Sequence, residues 1–144
     1  MATAIVEVEL NKIYSKTVPV KISEKTVVIA CIENEFHQIG IKMVSAIFEM
    51  YGWNTYFLGS NVPANELIDF IKNTDPDLVA LSQSIYFNLF KLETILELLN
   101  KEFPDLKILV GGQAFLHGGQ EIFNNFKNIT YLEDLYKLES FLLQ

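Results

Sequence analysis

The segment Glu33-Asn34-Glu35-Phe36-His37-Gln38-Ile39-Gly40 sets an imidazole two residues after a carboxylate and three before a glycine. His37 is one of only two histidines in the chain. A ring nitrogen of that kind can ligate a metal, and a lone histidine near a helix start can equally be structural or solvated. Glu33, Glu35 and His37 could hold a divalent cation between them, but their spacing matches no closed ligand set. Glu35 alone is also explained as a first-turn charge favoured by the helix dipole. Two further stretches carry groups of use to a site. Ser82-Gln83-Ser84 offers hydroxyls and an amide, and Gly111-Gly112 offers backbone with no side chain. Read singly, Ser82 could bond a loop carbonyl and the two glycines could form an ordinary turn. His117 reads as a solvated loop residue, with ligation of a second metal or a haem as the sharper alternative.

Positioning these groups requires a scaffold, and the hydrophobic periodicity supplies one. An apolar run, Thr26 to Ile32, leads into the first segment. A helix is expected over His37 to Tyr51, where Ile39, Met43, Val44, Ile47, Phe48 and Tyr51 recur at helical spacing, and Gly52 ends it. Asn54 to Leu58 reads as a second strand, and Gly59-Ser60-Asn61 as a turn. Pro63 suits the start of the next helix, whose apolar face is Leu67, Ile68 and Ile71 and which Asp75-Pro76 stops. Leu78 to Leu81 is a third strand running into Ser82-Gln83-Ser84. A helix from Leu89 to Phe103 follows, with Pro104 marking its end. Lys107 to Val110 is a fourth strand and enters Gly111-Gly112. A weak helix over Gln120–Phe126, a short strand Ile129-Thr130-Tyr131 and a helix bearing Leu135, Leu138 and Leu142 complete the pattern.

Strands that alternate with helices, and that are continuously apolar, imply a parallel sheet covered on both faces. The expected fold class is α/β: a flavodoxin-like, Rossmann-type, doubly wound sheet of five parallel strands in the order 2-1-3-4-5, with five helices. In that order the loops after strands 1, 3 and 4 adjoin at the switch point. They would form one crevice holding an imidazole, a hydroxyl and bare backbone. Several familiar occupants of such a crevice do not fit. No G-x-G-x-x-G follows the first strand, so a dinucleotide site is excluded. The loop there is acidic, which does not suit a flavin phosphate. Leu81-Ser82 stands where a phospho-acceptor aspartate would end the third strand.

Composition narrows the classes further. The chain has 144 residues, half of them hydrophobic, enough for one domain with a full core. Residues 25–144 read as that domain. Residues 1–24 read as an arm or linker: Ile5 to Leu10 alternates like an edge strand, and Pro19 interrupts the polar remainder. The arm could pair with the sheet edge, join a second subunit in a homo-oligomer, or tether another domain. Net charge is −7 and all eleven basic residues are lysine, so direct nucleic-acid binding is not expected. A single cysteine, Cys31, suits a reducing cytoplasm and reads as a small core residue. No run is long enough to cross a bilayer, and the first residues lack the order of a signal peptide. A cytoplasmic protein without membrane contact is expected.

Taken together, Glu35-Phe36-His37-Gln38-Ile39-Gly40, Ser82-Gln83-Ser84 and Gly111-Gly112 resemble the Asp-x-His-x-x-Gly, Ser-x-Leu and Gly-Gly pattern of cobalamin (vitamin B12)-binding domains. Tyr51 to Gly59 followed by Val62-Pro63 is similar to the second-strand region of that family. The resemblance covers about Lys25 to Phe115. It implies a corrinoid, with cobalamin as cofactor, held base-off. His37 would ligate cobalt, and Glu35 would hold the other ring nitrogen and tune its basicity. Ser82 would hydrogen-bond the displaced benzimidazole. Gly111 and Gly112 would let the nucleotide tail pass, and Gly40 would permit close packing at the helix start. Phe36, Gln38, Gln83 and Ser84 would line the corrin. This chain departs from the pattern in several places: Glu35 replaces aspartate, Ser84 replaces leucine, Leu116-His117-Gly118 follows the double glycine, and the stretch from Asn128 to Asp134 lacks the Gly-Ala-Asp that often ends such domains. With no second set of acid, base and nucleophile, the implied role is a sensor or cofactor carrier working with a protein partner or output domain. Within this chain no helical bundle precedes the sheet, which weighs toward a sensor over a free-standing methyl carrier of a methyltransferase system. The competing expectation is a degenerate domain that binds haem or nothing and serves as a regulatory interaction module.

Overall fold

The computed structural model describes residues 24–32, 39–83, 89–112 and 118–143. Apolar, β-branched runs form five parallel strands: β1 (Thr26–Ile32), β2 (Asn54–Val62), β3 (Leu78–Ser82), β4 (Lys107–Gly111) and β5 (Ile129–Tyr131). Their order is β2-β1-β3-β4-β5, as the pattern predicted. The helices are α1 (Ile39–Met50), α2 (Ala64–Thr74), α3 (Leu89–Glu102) and α4 (Leu135–Leu142). The arm assigned to residues 1–24 lies outside the described residues except for Glu24.

Alternation along the strands explains the two cores. Val28, Ala30, Val79, Leu81, Ile108 and Val110 face α2 and α3, where Leu67, Ile71, Leu92, Ile95, Leu96 and Leu99 meet them. Val27, Ile29, Cys31, Leu78, Ala80 and Leu109 face α1 and α4, against Ile41, Ile47, Phe48, Tyr51 and Leu138. Every residue of β1 after Thr26 is buried, which is why the run shows no polar alternation. Strand starts are pinned by a reciprocal pair: Thr26 N–H donates to the Asp77 carboxylate at 2.8 Å, and Asp77 N–H donates to Thr26 O at 2.9 Å.

Three expectations are corrected. Gly59-Ser60-Asn61 does not turn; it is the last part of β2. Positive φ at Gly59 (89°) and Asn61 (53°) lets the strand absorb extra residues as bulges and stay on the ladder. Pairing steps from Ile29↔Phe57 to Ala30↔Gly59 and then to Ile32↔Val62. The segment Gln120–Asn125 is a 3-10 helix rather than an α-helix, and it has no buried residue to anchor a longer one. The described residues thus hold four α-helices, not five. The third helix stops at Glu102, one residue short of Phe103.

The face covered by α1 and α4 is closed at its lower end by a polar clasp. Tyr51, just past α1, donates its hydroxyl to Glu139 of α4 at 2.8 Å. Burial first, then the Glu139 hydrogen bond and charge, push the phenol up from 10.0 to about 12. The Tyr51→Phe variant should lose about 1 kcal/mol in urea unfolding at neutral pH. A pKa raised in the folded state contributes stability below the unfolded value, and that contribution fades as pH climbs toward the folded value. The gap between parent and variant should therefore hold up to pH 10 and close as pH rises through about 12; a constant gap would show that the clasp does not titrate.

Candidate functional site

Side-chain size along β3 and β4 falls toward their carboxyl ends on one face only. On the face toward α1 and α4, β3 presents Leu78, then Ala80, then Ser82, and β4 presents Leu109, then Gly111. On the other face Val79, Leu81, Ile108 and Val110 fill the space evenly. The taper leaves a slot of about 170 Å³ between the strand ends, α1 and the β5–α4 segment. Gly40, Ile41 and Val44 line it from α1, and Leu132, Glu133, Asp134, Leu135 and Leu138 from the opposite side. It opens at the carboxyl edge of the sheet, where ligands of doubly wound folds bind.

The described starts of two of the three expected loops, those after β3 and β4, adjoin there. Ser82 is paired in register with Cys31 on one side and Gly111 on the other, and is 8% exposed. Gln83 is fully buried, and its N–H donates to Gly111 O at 3.1 Å. Gly112 has φ of 116°, and a Cβ built on it would lie 2.2 Å from Gln83 O. Its bare backbone is therefore demanded by the chain itself, where the exit of β4 crosses that of β3. Gly111 is tight too, with a built Cβ 3.2 Å from Leu132 O.

A Cβ added to Gly40 meets nothing within 4 Å among the described residues, and Gly40 fronts the slot. Glu35, Phe36, His37, Gln38 and Ser84, like Glu33 and His117, lie outside the described residues. Gln83 is buried beneath the strand ends rather than lying on the open rim.

The second wall of the slot was missed in the sequence. Leu132, Leu135 and Leu138 belong to it because β5 is the sheet's last strand and α4 returns beside α1. The signal was present: an amphipathic last helix must cover the same face as the first. Asp134 holds that wall, its carboxylate accepting from Lys137 N–H at 2.9 Å as an N-cap. Glu133 and Asp134 are exposed and make the mouth acidic. Nearby, burial and then the Glu133 charge raise the Tyr131 phenol.

Fold and slot together define a doubly wound domain with a mostly apolar slot at its carboxyl edge. The sequence model of the B12 binding domain matches residues 25–125, and the chain belongs to that family. It is a cobalamin-binding domain. Dimethylamine corrinoid protein 3 of Methanosarcina acetivorans is 30% identical over 83 residues, covering 56% of this chain and 39% of that protein. This chain thus matches well under half the length of that curated relative. Two solved structures are similar in fold. A cobalamin-binding protein from Desulfitobacterium hafniense aligns with TM-score 0.69 and 20% identity, over 99% of this chain and 68% of that one. The methanol:cobalamin methyltransferase complex MtaBC from Methanosarcina barkeri aligns with TM-score 0.73 and 22% identity, over 94% of this chain and 52% of that one. No helix among the described residues is long and apolar enough to cross a membrane.

The two glycines predict opposite responses. Gly112→Ala should cost about 2–4 kcal/mol, since it adds strain at positive φ to a clash with backbone. Gly40→Ala should leave stability within about 1 kcal/mol of the parent or raise it, since it gains helix propensity in open space. Urea unfolding midpoints check both; a tolerated Gly112→Ala would show that the strand exits can separate.

Proposed function

We propose that the domain binds cobalamin base-off, with the nucleotide tail in the slot and His37 as the lower cobalt ligand. The observation that carries the reading is the slot itself. It is mostly apolar, is lined by the buried Ser82, and is bordered by a glycine pair at the carboxyl edge of the sheet. Ser82 would hydrogen-bond the displaced base. Gly111 would leave the entrance clear of a side chain. Val44, Leu132 and Leu135 would flank the tail and exclude water from it. Glu35 would hold the imidazole in one tautomer and raise its basicity.

Bound cobalamin supplies a cobalt centre that accepts and releases a one-carbon group. The chain's own residues would hold and orient that centre. The chemistry on a second substrate would fall to a protein partner. Similarity to dimethylamine corrinoid proteins supports a corrinoid carrier that serves a methyltransferase. One structural neighbour, MtaBC, is a methyltransferase complex, which supports working as part of an assembly.

Hydroxocobalamin added to the protein should shift its visible spectrum to that of a histidine-ligated corrinoid. His37→Ala should abolish the shift, and Glu35→Gln should weaken binding by about tenfold or more. An identical spectrum with His37→Ala would remove His37 from the cobalt.

A further inference from the structure

We infer that the outer edge of β2 joins the same edge of a second copy of this chain, by antiparallel pairing about a two-fold axis at Tyr56.

β2 is the outermost strand on one side of the sheet, and no described strand pairs with its outer edge. Its residues, Asn54 to Val62, include no charge and no proline, two of the devices that ordinarily keep an edge from pairing. The bulges at Gly59 and Asn61 blunt only its carboxyl half. From Asn54 to Phe57 it pairs residue for residue with Thr26 to Ile29 of β1. Two large side chains of this regular part, Tyr56 (39%) and Phe57 (37%), are exposed.

The backbone there is laid out symmetrically. Asn54 N–H donates to Lys25 O at 2.9 Å, so Asn54 turns its backbone groups toward β1. Successive residues of a strand turn theirs to opposite sides. Tyr56 therefore also faces β1, while Thr55 and Phe57 direct N–H and C=O outward. In an antiparallel pair, Thr55 would exchange two hydrogen bonds with Phe57 of the second copy, and Phe57 two with Thr55 of that copy. The two Tyr56 residues would meet between them as the closer, non-hydrogen-bonded pair. The side chains suit this register. Tyr56 shares the face of Val28, and its ring meets Phe70 of α2 edge-on at 5.5 Å. Pairing would join two such aromatic couples across the axis. Phe57, on the face of Ile29, would lie against the β-branched Thr55 of the second copy.

Charge favours this occupant. Each chain carries −7, so two copies repel least where neither presents charge, and this strand is such a place. A strongly basic or acidic partner would find no counter-charge on it. Antiparallel pairing points the carboxyl edges of the two sheets in opposite directions, and β2 is the strand farthest from β5, so the slot stays clear of the contact.

A short edge makes a small interface, so the dimer should form reversibly with concentration. Sedimentation velocity of the full chain from about 1 μM to about 1 mM should show its mass double. The Thr55 and Phe57 amides should resist hydrogen exchange in concentrated protein and exchange on dilution. Tyr56→Lys and Tyr56→Glu each set like charges opposite one another. Each should stay monomeric where the parent is dimeric, with unchanged circular dichroism, and an equimolar mixture of the two should dimerise. The exchange measurement on the parent decides independently of how either variant folds. A parent that is monomeric throughout would overturn the inference, as would a dimer that both variants leave intact. A mixture that stays monomeric would overturn the two-fold pairing at Tyr56. Protection of Thr55 and Phe57 that persists in the dilute monomer would put a segment of the same chain, such as Ile5 to Leu10, on this edge and overturn the proposal.

Discussion

The structure turns on a close crossing of backbone at the carboxyl edge of the sheet. Gln83 donates its N–H to Gly111 O, and Gly112 then passes so near Gln83 that no side chain fits between them. The contact ties the exit of β3 to the exit of β4, one strand over from the β1/β3 point where the strand order reverses. A side chain at position 112 would push the two exits apart. The glycine pair is first a requirement of the polypeptide, and the clear entrance follows from it.

The slot owes its existence to an asymmetry between the two faces of one sheet. Toward α2 and α3, β3 and β4 bury Val79, Leu81, Ile108 and Val110, and packing is continuous. Toward α1 and α4, the sequence Leu78, Ala80, Ser82 thins the wall as the strand approaches its end. Protein interiors ordinarily fill to the density of an organic crystal. Here the helices cannot collapse onto the small residues, because Ile47 and Phe48 of α1 and Leu138 of α4 already pack against the sheet lower down. The Tyr51–Glu139 hydrogen bond closes the same pair of helices at the far end.

Much of the scaffold was legible because it depends on periodicity. The run Thr26 to Ile32 is buried on both faces, so it could be recognised without alternation, and its bounds agree. The strand order followed from the alternation of strands and helices, which suggested a flavodoxin-like arrangement. Local irregularity was harder to read. Gly59-Ser60-Asn61 has the composition of a turn, yet the ladder to β1 carries it as a bulged strand. Composition reports which φ values a segment tolerates, and pairing with a neighbour decides how they are used. In the candidate site, Ser82 and Gly111-Gly112 were recognisable from their place after strands, whereas the wall from Leu132 to Leu138 was not.

From its residues alone this chain determined an α/β sheet of known order and its family, because hydrophobic period and motif spacing are local properties. The tertiary structure decided what no local pattern contains. It showed that Gly112 is bare for the sake of Gln83, that Gly40 fronts the slot, and that the last helix completes it. Each of these depends on residues distant in the chain approaching within a few ångströms, and only packing sets such distances.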